Sequence, residues 1–133
     1  MFKIYTDGAY SGLRNRGGWS FIVVQDNEKI YSTFDTQLDT TNNRMEIKAS
    51  LEAMLWMKSN NIKSAIIFTD SMYVINTMTK NWKRNKNNDL WDKMDEAING
   101  LTIDWQHVKG HSGNKWNELC DVLAVHGSNI IEN

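Results

Sequence analysis

Residues 64–69 read Ser-Ala-Ile-Ile-Phe-Thr and run directly into Asp70. A half-exposed strand alternates apolar and polar residues. A continuous apolar run closed by an acid predicts instead a central strand buried on both faces. Such a strand needs other strands beside it and helices covering it.

The surrounding sequence supplies both. Phe2–Thr6 reads as a first strand ending at Asp7-Gly8, and Ala9–Gly17, with Gly12 and Gly17, as a loop. Trp19–Val24 is a second strand. The turn signal Asp26-Asn27-Glu28 joins it to a third, Lys29–Phe34, in a hairpin. Thr41 or Asn42 caps a long helix in which Met45, Ala49, Leu55 and Trp56 recur at helical spacing, and Asn60-Asn61 ends it. After Asp70, Ser71 starts a short helix through Met78, Asp89–Ile98 is a second, and Asn99-Gly100 closes it. Leu101–Val108 makes a fifth strand and Asn114–His126 a last helix. The order β-β-β-α-β-α-α-β-α predicts an α/β fold: a five-stranded mixed sheet, antiparallel at the hairpins and parallel at the crossovers, flanked by helices.

With 133 residues the chain is expected to form one domain, 1–133, large enough for a real core. Its formal charge of −1 leaves no basic tail, so contact with a polyanion must come from a local patch. Cys120 is the only cysteine, which suits a reducing compartment, and a cytoplasmic location is expected. No apolar run approaches the roughly 20 residues of a membrane span. Met1 stands directly before the first strand and the tail ends soon after the last helix, as in a free-standing protein.

Four carboxylates occupy distinctive settings: Thr6-Asp7-Gly8, Arg44-Met45-Glu46, Thr69-Asp70-Ser71 and Cys120-Asp121. Taken singly, each has an ordinary explanation: Asp-Gly after a strand is a turn, Thr-Asp-Ser a helix cap, a mid-helix Glu solvated surface. Together they differ. In a sheet of this kind the ligand site lies beyond the carboxyl ends of the strands, where strand order reverses. If the first and fourth strands are parallel neighbours, Asp7 and Asp70 meet at one edge, and Glu46 and Asp121 can point there from their helices. Clustered acids need neutralising cations, and hard cations bound by carboxylates point to phosphate chemistry.

The whole pattern resembles ribonuclease H of type 1. The resemblance rests on Tyr5-Thr6-Asp7-Gly8, Thr41-Asn42-Asn43-Arg44-Met45-Glu46, Thr69-Asp70-Ser71 with Tyr73-Val74, and Asp89-Leu90-Trp91. It continues through Val108-Lys109-Gly110-His111-Ser112-Gly113 and Asn117-Glu118 with Cys120-Asp121. It covers essentially the whole chain, in order. It implies hydrolysis of the RNA strand of an RNA–DNA hybrid with two divalent ions, Mg²⁺ with Mn²⁺ as a possible substitute, leaving 5′-phosphate and 3′-hydroxyl ends. By position, Asp7, Glu46, Asp70 and Asp121 would be the catalytic metal-binding carboxylates, and His111 would assist proton handling or product release. Asn42 and Asn43 would face 2′-hydroxyls in the minor groove. Thr41 and Asn87 would grip a DNA phosphate, and Glu118 would lie near the RNA strand. Lys83, Arg84 and Lys86 would contact the backbone. The partner is the hybrid, with no membrane, and the chain is expected to be a monomer.

The sequence also departs from the family pattern. Only Asn81–Lys86 stands for the family's basic protrusion. Arg14 and Arg16 fall in a loop that often reads Gly-Asn-Pro-Gly, where they would offset a lost amide contact through phosphates. Met72 replaces a common Gln, and Asp39 a basic residue. Activity is expected to survive, with modest affinity. Among tryptophans, Trp19, Trp56 and Trp105 are assigned to packing, while Trp82 and Trp91 are each either core or a DNA-facing platform. Rival readings are a resolvase-like or strand-transfer nuclease of the same architecture, a domain of a reverse transcriptase, and a non-catalytic hybrid-binding module. The Asn-Asn-Arg-Met-Glu helix start and the Lys-Gly-His-Ser-Gly loop argue against the first, and the complete set of four acids against the last.

Overall fold

In a computed structural model describing residues 1–109 and 113–130, the sheet has five strands in the order β3-β2-β1-β4-β5. In chain order these are β1 (Lys3–Ser11), β2 (Arg16–Gln25), β3 (Glu28–Leu38), β4 (Ser64–Thr69) and β5 (Thr102–His107). The helices are α1 (Asn42–Ser59), α2 (Met72–Lys80), α3 (Asn88–Ala97) and α4 (Lys115–Ser128). β1 pairs antiparallel with β2, and β2 with β3. β4 lies parallel between β1 and β5, the central strand its composition calls for.

The two faces are covered separately. On one, Ile4, Trp19, Phe21, Val23 and Ile67 pack under α1 and α3 through Met45, Met54, Leu90, Trp91 and Met94. On the other, Tyr5, Ile22, Val24 and Phe68 meet Cys120, Leu119 and Leu123 of α4. Trp91 is fully buried in the first core, so it is no DNA platform, whereas Trp82 is half exposed. Trp19 is buried, and Trp56 and Trp105 pack against the same core. The Cys120 thiol is buried, and burial pushes its pKa well up. No helix among the described residues is long and apolar enough to cross a membrane.

The sheet overruns one expected loop. Where a loop is expected over 9–17, β1 continues to Ser11 and β2 begins at Arg16, paired from Lys3↔Val24 through Ser11↔Arg16. Gly12 stays open to solvent, but Gly17 and Gly18 are packing positions. A Cβ on Gly18 would strike the backbone of α4 at Ala124, Gly127 and Ser128, and Gly127 answers with its own lack of a side chain against Asp35 and Gly18. This bare contact seats α4 close to the sheet. Arg16 is buried and its Nη1 donates to Thr36 Oγ1 at 3.4 Å, so it is not a loop cation offered to phosphates; Arg14 is exposed.

Candidate active site

Asp7 does not end its strand, but it lies beyond the reach of β4. The parallel pairing of β1 with β4 runs from Lys3↔Ile66 to Tyr5↔Phe68 and stops. Asp7 and Asp70 both follow that last pair, side by side where the parallel pairing stops. The Thr6 hydroxyl donates to Phe68 O at 3.0 Å and ties the two strands there.

Glu46 reaches the same edge through α1. Thr41 caps that helix, its hydroxyl accepting from Arg44 N at 3.1 Å, and Met45 and Ile47 on either side of Glu46 are fully buried. The helix comes in close because residue 8 has no side chain. A Cβ on Gly8 would fall on the Glu46 backbone nitrogen and lie 2.9 Å from Glu46 Oε1. Carboxylate oxygens of Asp7, Glu46 and Asp70 thus all lie within 4.8 Å of one another. Asp121 arrives from α4, which is pinned by Ser20 Oγ donating to Cys120 O at 2.6 Å. It stands outside that tight trio but near enough that its carboxyl helps raise that of Asp7.

The cluster is electrostatically unbalanced. Burial, then the charge of Asp70, pushes the Asp7 carboxyl up from 3.8 to about 8, although Gly8 N donates to its Oδ1 at 2.9 Å. Glu46, 4 % exposed, is driven well above its usual range, first by burial and then by Asp7 and Asp70. Its contacts with those acids require a shared proton; no N–H or hydroxyl among the described residues reaches Oε1. Buried acids without a counter-charge are costly. Hard oxygen donors, crowded, buried and short of a positive partner, are the donor set that divalent cations bind.

The expected substrate residues divide. Thr41, Asn42 and Asn43 stand exposed at the start of α1. Asn43, Lys83, Lys86 and Asn87 come together, with Tyr73 and Asn85, around a depression of about 230 Å³. Arg84 turns elsewhere: it makes a 2.5 Å ion pair with Asp95 and lies 5.5 Å over the Trp91 ring. Glu118 is exposed in the first turn of α4, and its Oε1 accepts from Gly113 N at 3.1 Å. Asp39 is held by Asn15, whose Nδ2 donates to it at 2.5 Å. His111 lies outside the described residues. Tyr73 and Asn85 received no role from the sequence. The visible signal for Tyr73 is its place two residues after Ser71, which caps α2 and so aims the first turn at the depression.

The chain was compared with known proteins. The RNase H family model matches residues 1–129. Ribonuclease HI of Rickettsia conorii is 44% identical over 138 residues, covering 93% of this chain and 88% of its own. Ribonuclease H of a Cyanothece strain is 38% identical over 135 residues, covering 92% and 85%. Among solved structures, RNase H1 of Halobacterium salinarum superposes with a TM-score of 0.81 at 25% identity, covering 95% of this chain and 96% of its own. LC11-RNase H1, solved in complex with an RNA/DNA hybrid, shares the fold with a TM-score of 0.80 at 18% identity, covering 95% of each chain. With its acids gathered at the sheet edge where β1 and β4 part, and a family match running from the first residue into the tail, the chain belongs to the RNase H family.

Proposed function

We propose that this chain is an endonuclease that hydrolyses the RNA strand of RNA–DNA hybrids, using Mg²⁺ held by Asp7, Glu46, Asp70 and Asp121. The observation that carries the reading is the trio of carboxylates, two buried and one half-buried, within 4.8 Å of one another, with Glu46 Oε1 left without a hydrogen-bond partner among the described residues. Divalent metal at such a site supplies an activated water and stabilises charge on the leaving oxygen. A pair of ions is the family's arrangement and fits four acids. Products with 5′-phosphate and 3′-hydroxyl ends follow from that chemistry.

The protein's own groups do the rest. Asp7, Glu46 and Asp70 hold the charge that draws metal, and Asp121 extends the set from α4. Asn42 and Asn43, exposed at the start of α1, present amides to 2′-hydroxyls of the strand entering the site. Thr41 and Asn87 hold a phosphate of the DNA strand, with Lys83 and Lys86 supplying positive charge around the same depression. Glu118 stands at the start of α4 on the RNA side, and His111 assists proton handling or product release. The complex of LC11-RNase H1 with a hybrid supports this partner. The protein acts as a monomer in the cytoplasm.

The test is four matched end-labelled substrates in Mg²⁺: hybrid, duplex RNA, duplex DNA and single-stranded RNA. A DNA strand with a short central block of ribonucleotides serves as a fifth. Cleavage confined to RNA opposite DNA is the expected result. Comparable cutting of duplex DNA or of four-way junctions would assign the chain to a resolvase-like activity instead.

A further inference from the structure

Asn87 sits at the position that caps α3, and Asn is among the best capping residues. Its side chain makes no cap. Its backbone is left-handed, with φ 62°, and its carbonyl alone starts the helix, accepting from Leu90 N and Trp91 N at 3.0 Å each. The amide is turned away and gripped from two sides. Arg44 Nη1 donates to its Oδ1 at 3.3 Å, and its Nδ2 donates to the Tyr73 hydroxyl at 3.2 Å. That hydroxyl also accepts from Trp91 Nε1, at 3.3 Å, and Trp91 is fully buried.

Arginine has donors and no acceptor. The Asn87 oxygen must therefore face Arg44, and the NH₂ group must face Tyr73 and the depression that Asn87 lines with Asn43, Lys83 and Lys86. One of its two N–H groups meets Tyr73. A phosphate, which only accepts, needs the other. Arg44 itself is not free to be that ligand. Its Nη1 and Nη2 form a two-pronged pair with Asp89 at 3.0 and 2.8 Å, and this pairing draws the Asp89 carboxyl down to about 2. Asp89 thus orients the guanidinium, and the guanidinium orients the amide.

We propose that Arg44 is a positioning residue for substrate binding: anchored by Asp89, it fixes the Asn87 amide with its N–H groups toward the DNA-strand phosphate. The inference rests on the reading of Asn87 as a phosphate contact, and the test separates the two. Arg44→Gln replaces a donor-only group by one that also accepts, so the Asn87 amide can turn round. KM for a hybrid in Mg²⁺ should rise roughly 10-fold, the scale of one lost charge-assisted hydrogen bond, with kcat changed less than about 2-fold. Asn87→Ala should raise KM by a similar factor. In the Asn87→Ala background Arg44→Gln should add less than about 2-fold, because the group it orients is gone. The dependence of binding on salt should keep its wild-type slope in Arg44→Gln, since no phosphate loses its counter-charge.

Multiplicative KM effects in the double variant would overturn the positioning role, as would a slope shallower by about 0.9, the mark of a direct Arg44–phosphate contact. An Asn87→Ala variant with wild-type KM would remove the phosphate reading beneath it. A raised KM in Asn87→Ala with none in Arg44→Gln would remove only the inference. If Arg44→Gln does not fold, Arg44→Lys enters the same cycle. Lysine lacks the planar fork that serves Asp89 and Asn87 together, and its effect must again vanish without Asn87.

Discussion

Where the pairing of β1 with β4 stops, three carboxylates crowd within 4.8 Å, and Glu46 Oε1 has no hydrogen-bond partner among the described residues. Around the start of α1 and α3 the reverse holds: Arg44 is paired with Asp89 and Arg84 with Asp95. The first region is buried and held by core packing on both sheet faces. The second is largely exposed, and its charges are matched by neighbours. The acidic edge is left electrostatically incomplete, so its free energy is spent on binding metal. The basic edge is complete without ligand, so only charges without an acid of their own remain to meet phosphates. Chemistry should therefore depend steeply on the first region and affinity gently on the second.

The steepest break is Asp7→Asn, Glu46→Gln or Asp70→Asn. Each should lower hydrolysis by roughly 10³-fold or more, the loss of several kcal/mol of transition-state stabilisation. The fold should remain, since each change relieves repulsion among buried acids. In EDTA these variants should melt no lower than wild type, and higher if repulsion dominates. Wild-type turnover by Asp70→Asn would sink the assignment. Asp121→Asn, outside the tight trio, should be milder.

Next comes His111→Ala, which should lower kcat by roughly 10–100-fold, in the range of a lost proton-transfer group or below it. Hybrid affinity measured with a non-cleavable substrate should barely change. A collapse of affinity would make the loop a binding element.

The same contrast predicts a pH dependence of stability. Asp7 titrates near 8 in the folded protein against 3.8 ordinarily, so folding favours its protonated form. Its contribution to stability is complete below about pH 4 and is lost as pH rises through about 8. The metal-free melting temperature should fall across that window. Asp7→Asn should flatten the fall and added Mg²⁺ should oppose it. A metal-free protein that gains stability from pH 4 to 8 would contradict the unbalanced-acid picture.

The gentlest effect lies at the basic edge. Lys83→Ala with Lys86→Ala should flatten the salt dependence of hybrid binding by up to about 0.9 per lost phosphate contact, and raise KM. Arg84→Ala should change that slope less and lower thermal stability more, because its guanidinium is committed to Asp95 and Trp91. Equal slopes for lysine and arginine variants would erase the distinction.

Some of this was legible in the chain because the physics is local. β4 occupies Ser64–Thr69, the run its composition marks, though its burial alternates: Ala65, Ile67 and Thr69 are buried, while Ile66 and Phe68 are only partly covered. The caps Thr41, Ser71 and Asn114 sit where short polar side chains accept the first free amides of α1, α2 and α4. The ordered spacing of Asp7, Glu46 and Asp70 pointed to one place, and the structure gathers those three where β1 and β4 part, although Asp7 lies mid-strand rather than at a strand end. The tertiary structure alone decided what depends on partners distant in sequence. Gly17-Gly18 reads as part of a loop until Thr40 and Met45 pack on Gly17 and α4, more than a hundred residues later, on Gly18. Trp82 and Trp91 share a basic neighbourhood, yet only Trp91 faces the core. Arg84 looks like one more cation beside Lys83 and Lys86 until α3 brings Asp95 to it. A side chain's type is written locally, but its free energy depends on what packing excludes water from and which charge it meets there.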